Sequence, residues 1–184
     1  MKIFFNLFTL LLFVTTVNAQ VSQGGFPVST LDPTIDANTL KTIRLNVPNL
    51  DILKAEDNIN DAIKGRLRIG TLINSGIQFD QEAEQTVLGD GRNLFRLAIY
   101  GKHAQALNFY LKNFEIPNGD ELYIYSNDRN HVLGAYTYHN NAADGVFSTE
   151  FIYGEKVILE YIQASTNNKT PDFIIEDIGY AYRN

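Results

Sequence analysis

The stretch FEIPNGDELYIYS, residues 114–126, continues into NDRNHVLGAY, residues 127–136. Pro117-Asn118-Gly119-Asp120 is turn chemistry, with proline placed where a φ near −65° is wanted. Leu122 and Ile124 then alternate with Tyr123 and Tyr125, the period of a strand with one apolar face. Asn127-Asp128-Arg129-Asn130 is a polar loop, after which Val132 to Tyr138 is again strand-like. Strand, turn, strand, loop, strand places the chain in the β class.

The same alternation recurs on either side of this stretch. Phe95, Leu97 and Ile99 alternate with Arg96, Ala98 and Tyr100, after a Gly89-Asp90-Gly91 turn. Leu107, Phe109 and Leu111 alternate with Asn108, Tyr110 and Lys112, so Phe109 is expected in the core and Lys112 on the surface. Val146 to Ile152, Lys156 to Ile162, in which Leu159 takes the core phase, and Phe173 to Tyr182 complete the series. Upstream, Thr42 to Val47 and Arg66 to Ile73 are strand-like. Leu50 to Ile63 spaces its apolar residues helically, with Asp51 and Asp57 as candidate caps. Short strands at this density, separated by turn signals, predict an all-β, antiparallel, jelly-roll-like sandwich with one short helix near the N-terminus. No repeat of solenoid or propeller period is present.

The first residues bear on compartment. Lys2 precedes an apolar run from Ile3 to Val14, and Val17-Asn18-Ala19 carries small residues where a signal peptidase reads. A run of about 12 apolar residues is too short for a bilayer, which needs about 20. The expected organisation is a signal peptide at residues 1–19, an extended, partly mobile arm at 20–40 and a sandwich domain at 41–183. The protein is expected to be secreted, extracellular or periplasmic, with no membrane attachment after signal removal. There are no cysteines, so packing rather than disulfides must stabilise an exported domain. The formal charge of −6 argues against nucleic acid and anionic membranes as partners. Ten tyrosines and 12 phenylalanines, against one methionine, suit a sheet core.

No set of residues carries recognisable chemistry. A serine hydrolase needs a serine, a histidine to take its proton and a carboxylate to orient that histidine. The chain has His103, His131 and His139, none in such a context, and no Gly-x-Ser-x-Gly elbow. His103 follows Gly101-Lys102 at a hairpin turn. His131 and His139 flank one strand, eight residues apart, or roughly 26 Å at about 3.3 Å per residue, too far to share an ion. Asn127 to Asn130 and Asp90 offer oxygen ligands but lack the spaced acids of a calcium loop. Tyr123, Tyr125, Tyr136, Tyr138, Tyr153 and Tyr161 suggest a stacking platform for sugars, although strand tyrosines commonly form cross-strand pairs. Tyr123 and Tyr125, opposite Leu122 and Ile124, are expected to be exposed. No catalytic, cofactor-binding or metal-binding residue is assigned.

A series of blocks resembles a known family. The blocks are Gly24-Gly25-Phe26-Pro27-Val28-Ser29, Arg68-Ile69-Gly70, residues 93–99, and Leu107-x-Phe109. They continue with Glu115-Ile116-Pro117-x-Gly119-x-Glu121-Leu122-Tyr123-Ile124-Tyr125, Gly134-Ala135-Tyr136, residues 154–161, and Ile175-x2-Ile178-Gly179-Tyr180-x-Tyr182-Arg183. In this order they resemble the N-terminal domain of secreted bacterial trypsin-like proteases of the lysyl endopeptidase type, over most of residues 24–183. The family's His-Asp-Ser triad and Gly-Asp-Ser-Gly-Gly segment are absent, so no catalytic residue carries over, and residue 184 falls about where the linker to a protease domain would begin. The resemblance implies a non-catalytic, pro-region-like domain whose parent is a serine endopeptidase and whose partner is a trypsin-like domain, in cis or in trans. Exposed tyrosines such as Tyr123 would anchor that contact. A secreted carbohydrate-binding or adhesion module on the same sandwich is the alternative, and an enzyme in its own right is a third reading.

Overall fold

The computed structural model describes residues 22–32, 34–35 and 39–183; the expected signal peptide lies outside them. In chain order the elements are α1 (Val28–Leu31), β1 (Thr42–Arg44), α2 (Leu50–Ala62), β2 (Gly70–Gln78), α3 (Phe79–Glu82), β3 (Glu84–Val87) and β4 (Asn93–Tyr100). Then follow β5 (Ala106–Lys112), β6 (Glu121–Ser126), β7 (Val132–Tyr136), a 3-10 turn (Tyr138–Asn140), β8 (Phe147–Ser148), β9 (Ile152–Tyr153), β10 (Lys156–Gln163) and β11 (Ile174–Ala181). The chain is an all-β sandwich. Sheet 1 runs β1-β4-β10-β6-β7, with β3 sharing the outer edge of β4; sheet 2 runs β2-β11-β5-β8, with β9 sharing the outer edge of β5. All pairings are antiparallel except β1 on β4, which is parallel, with Ile43 opposite Ile99.

The core between the sheets takes the expected phase of each strand. Phe95, Leu97, Ile99, Leu122, Ile124, Val157 and Leu159 of sheet 1 face Leu107, Phe109, Leu111, Ile175 and Ile178 of sheet 2. Aromatic rings close one end, where Phe114 stacks on Phe147 at 4.4 Å and Phe79 on Phe173 at 4.5 Å.

Sheet 1 is also buried on its other face. Leu94, Ala98, Tyr123, Tyr125, Ile158 and Ile162 form a second cluster with Ile35 and Leu40 of the N-terminal segment. Tyr123 and Tyr125 are therefore not exposed as the alternation suggested; they are 3% and 0% accessible. The physical reason is the segment beginning at Ser22, which lies across them. Gln23 N donates to Ala135 O (3.0 Å) and Ala135 N to Gly24 O (2.9 Å), pairing the segment with β7. Gly25 is required here, because a Cβ would stand 2.6 Å from the Tyr123 hydroxyl. Farther along, the buried Ser29 donates its N–H to Glu160 Oε1 (3.2 Å), and its hydroxyl shares a 2.7 Å hydrogen bond with Tyr125, which itself donates to Glu160 Oε2 (2.9 Å).

Four other expectations are corrected. The helix is α2, thirteen residues long, and its cap is Asn49 rather than Asp51: Asn49 Oδ1 accepts from the backbone of Asp51 and Ile52. Asp57 is no cap but the buried centre of an ion cluster, accepting from Arg68 Nε (2.8 Å) and the Tyr182 hydroxyl (2.9 Å), with Arg183 at 3.3 Å. The strand expected at 66–73 begins at Gly70, because Arg68 is turned back onto α2 and pairing with β11 starts only at Gly70 opposite Ala181. The strand expected at 146–152 is split into β8 and β9 around Thr149, whose Oγ1 accepts from Phe109 N.

Candidate binding face

The three histidines are dispersed. His103 sits in the β4–β5 turn at φ +64°, its N–H donating to Glu155 Oε1 (2.7 Å), beside an open trough of 600 Å³ that also holds Lys54, Lys102 and Tyr182. His131 stacks on Tyr153 at 5.5 Å, and its Nδ1 accepts from Tyr153 N. His139 lies in the 3-10 turn against Tyr138.

One loop does bring Ser126, Asp128 and His131 together. Ser126 Oγ donates to Asp128 Oδ1 (2.5 Å) and accepts from the backbone N–H of His131 (3.1 Å). The imidazole is engaged with Tyr153 instead, so the serine has no base and the loop is an ordinary hairpin lock. Asp128 also accepts from Asn130 N and Nδ2. The Ser126 and Asn130 donors hold its carboxyl below the usual range. Asp90 is likewise lowered, chiefly by the Arg92 backbone N–H. Among the described residues no three His, Asp or Glu side chains converge as metal ligands.

Of the six tyrosines considered for stacking, Tyr123, Tyr125, Tyr136 and Tyr161 are buried. Tyr161 donates to Asp120 Oδ2 (2.7 Å). Burial above all, with Glu150 nearby, pushes Tyr136 up to about 12. Tyr138 and Tyr153 remain exposed.

The outer face of sheet 2 is built differently. It carries a groove of 220 Å³ lined by Arg68, Leu72, Asn108, Tyr110, Phe151 and Gly179, among others. Leu72 is 60% exposed and Tyr110 39%, so the apolar walls face solvent. The floor is a cross-strand pair, Asn108 of β5 opposite Gly179 of β11. Asn108 is only 6% exposed, and its Oδ1 is buried with no hydrogen-bond partner among the described residues. The amide lies so close over Gly179 that a Cβ there would stand 1.8 Å from Oδ1. A buried carbonyl oxygen left unpaired costs about 1–3 kcal/mol. That cost is borne on a face whose apolar walls are open to solvent.

The volume limits the occupant. Pockets for drug-sized ligands run to about 300–1,000 Å³, so this groove takes a single apolar side chain or one sugar ring. The sequence reading missed it, because Asn108 and Gly179 each look unremarkable in their own strand. The available signal was a glycine in a strand interior with no turn around it, which often marks close approach.

No family model, curated protein or solved structure matches this chain.

Proposed function

We propose that the chain is a non-catalytic, pro-region-like module of a secreted trypsin-like serine protease of the lysyl endopeptidase type, which binds the protease domain in cis or in trans. The observation that carries the reading is the outward-facing apolar groove on sheet 2. The outer face of sheet 1 is occupied by the chain's own N-terminal segment, whereas the sheet 2 groove keeps Leu72, Tyr110 and Phe151 open around Asn108, whose Oδ1 has no partner among the described residues. Apolar and aromatic side chains in a shallow, partly desolvated groove are the composition of an interface core. The partner's identity rests on the resemblance of the ordered blocks, several of which fall at a turn or a close approach: Gly25 over Tyr123, the turn at Pro117, and Gly179 beneath Asn108 inside β11.

Titrating the purified chain against a lysyl endopeptidase-type domain tests this, with calorimetry for association and residual amidase activity as a second readout. Saturable binding that Leu72→Asp weakens at least about tenfold, the loss of roughly 1.4 kcal/mol, supports the proposal. No association at tens of micromolar overturns it. The adhesion reading has its own specific support, since an amide beside Tyr110 and Phe151 is also the equipment of a one-ring sugar site. Saturable glycan-array binding lost in Tyr110→Ala, with no protease binding, would transfer the function to that reading.

A further inference from the structure

Tyr153 ends the short strand β9. Its neighbour Ile152 lies opposite Leu107 in the core, whereas Tyr153 lies opposite Ala106 and takes the outward phase. It is 68% exposed, the most of any described tyrosine. Single exposed apolar side chains are common on soluble proteins, so exposure alone assigns nothing. What distinguishes Tyr153 is that its ring is held in place and shares a recess with fixed polar groups. It stacks on His131 at 5.5 Å, with 28° between the planes, and its backbone N–H donates to His131 Nδ1 (3.4 Å). Together with Ser126, Asp128 and Asn130 the two rings line an open recess of 390 Å³. It shares no lining residue with the groove around Asn108.

The hairpin that carries the polar groups is fixed at its base. Asn127 N donates to Lys156 O (3.0 Å), Ser126 N to His131 O (2.9 Å) and Arg129 N to Ser126 O (2.8 Å). The lock consumes some groups and leaves others over. Asp128 Oδ1 takes the Ser126 hydroxyl and Asn130 N, but Oδ2 takes only Asn130 Nδ2. A carboxylate oxygen accepts about two hydrogen bonds, so one direction on Oδ2 stays open. Asn130 keeps its Oδ1 and its second Nδ2 hydrogen, neither with a partner among the described residues. Because His131 Nδ1 accepts, the proton of the neutral ring sits on Nε2, a donor that also has no partner among the described residues. The recess therefore offers two acceptors and two donors beside an aromatic ring, and no lysine or arginine is among the described residues that line it.

That set suits one class of ligand. Neighbouring hydroxyls on a sugar each donate and accept, so they need both kinds of group within the width of one ring. The C–H face of a pyranose is apolar and weakly positive, and it lies against the negative face of an aromatic ring. The volume is near the low end of the roughly 300–1,000 Å³ of small-ligand sites, which suits one ring rather than a chain. The Asp128 carboxyl, held below the usual range by Ser126 and Asn130, is charged at neutral pH and repels an acidic sugar. We propose that the recess between the β6–β7 hairpin and β9 binds a single neutral pyranose ring, stacked on Tyr153 and hydrogen-bonded by Asp128, Asn130 and His131. With the hairpin already fixed, little ordering is required on binding. The site is separate from the proposed protease contact on sheet 2 and does not depend on it.

The test is titration of the nitrogen-15-labelled chain with the methyl glycosides of glucose, galactose and mannose, read by amide chemical shifts. At least one of them should saturably shift residues 127–131 and 152–154, with a dissociation constant on the order of millimolar. The uronate of the same configuration should bind about fivefold or more weakly at low ionic strength, and Asp128→Asn should remove that difference. Tyr153→Ala should weaken binding about tenfold, whereas Tyr153→Phe, which keeps the ring, should stay within about threefold of the parent. The side chain is exposed, so the melting curves of both variants should match the parent's. No saturable shift with any of the three sugars overturns the proposal. So do shifts centred on Leu72 and Tyr110, uronate binding equal to that of the neutral sugar, or binding that survives Tyr153→Ala.

Discussion

Gly179→Ala and Asn108→Ala, singly and together, probe the floor of the groove. In the single Gly179→Ala variant the new Cβ would meet Asn108 Oδ1 at 1.8 Å, Cγ at 2.9 Å and Nδ2 at 3.6 Å. The three nearest atoms all belong to that one side chain, so the amide must rotate or retreat by more than an ångström. Overpacking of this size costs about 1–3 kcal/mol, partly offset by the roughly 0.5–1 kcal/mol that alanine gains over glycine in a strand. Asn108→Ala removes the group that the new Cβ would strike. It also removes an unpaired buried carbonyl oxygen, a penalty of about 1–3 kcal/mol, at the expense of some packing. Its own effect is therefore expected to lie between no change and a gain of about 1 kcal/mol. In that background Gly179→Ala should be neutral or slightly stabilising, giving a coupling of about 1–3 kcal/mol between the two sites.

Urea unfolding of the four proteins measures each term, provided the denaturant slope stays constant so that stability rather than compactness is compared. Additivity within about 0.5 kcal/mol would refute the steric argument. A cost above about 2 kcal/mol for Asn108→Ala would show that the amide stabilises the fold, which removes the reason for treating the groove as a functional feature. If the amide is held for a ligand, the same Asn108→Ala protein should be at least as stable as the parent and bind the protease domain more weakly.

Phe109→Ala, at a fully buried site between the sheets, should cost about 3–5 kcal/mol by urea unfolding. Lys112→Ala should stay within about 1 kcal/mol despite its 2.6 Å contact with Glu176, because exposed ion pairs contribute little; equal costs would mean that the strand phase is wrong. Tyr125→Phe leaves Glu160 and Ser29 without the hydroxyl between them; it should cost about 1–3 kcal/mol and speed amide exchange in residues 22–31, and unchanged exchange would dissociate that hydroxyl from the segment. Burial pushes the Asp57 carboxyl up, but the Tyr182 hydroxyl and the Arg68 and Arg183 guanidinia outweigh it, so it titrates below its ordinary range. A depressed carboxyl stabilises the fold above its unfolded pKa of about 3.9 and loses that contribution as pH falls through the lower folded value. Amide protection of α2 should therefore fall below about pH 4, and protection that is flat down to pH 2 would argue against the cluster as the helix's tether.

The parts legible in the sequence are those in which one strand's own pattern carries the information. Phe95-x-Leu97-x-Ile99 and Leu107-x-Phe109-x-Leu111 announce their core face, and both hold in the structure. Illegible features come in two kinds. Strand β3, Glu-Gln-Thr-Val, is exposed along its whole length and exists through backbone bonds to β4, which leave no mark on side-chain pattern. The burial of Tyr123 and Tyr125 depends on a segment about a hundred residues earlier, and tyrosine suits a wet face and a dry one equally well. That ambiguity matters for function. The same alternation that misplaced the exposed aromatics on sheet 1 left the outer face of sheet 2, with its Asn108, Tyr110 and Lys112 phase, looking like an ordinary polar surface. Each sheet has one face in the common core, so the proposed binding face depends on which remaining face the chain covers itself. Residues 22–32 with Ile35 and Leu40 cover sheet 1, and by doing so they leave the groove around Asn108 as the face with exposed apolar side chains beside an unpaired polar atom. A variant that lifts the N-terminal segment, such as Gly25→Val against the Tyr123 hydroxyl, should then expose a second apolar face on sheet 1 without altering binding at sheet 2. Loss of partner binding in that variant would place the interface on sheet 1 and reverse the assignment.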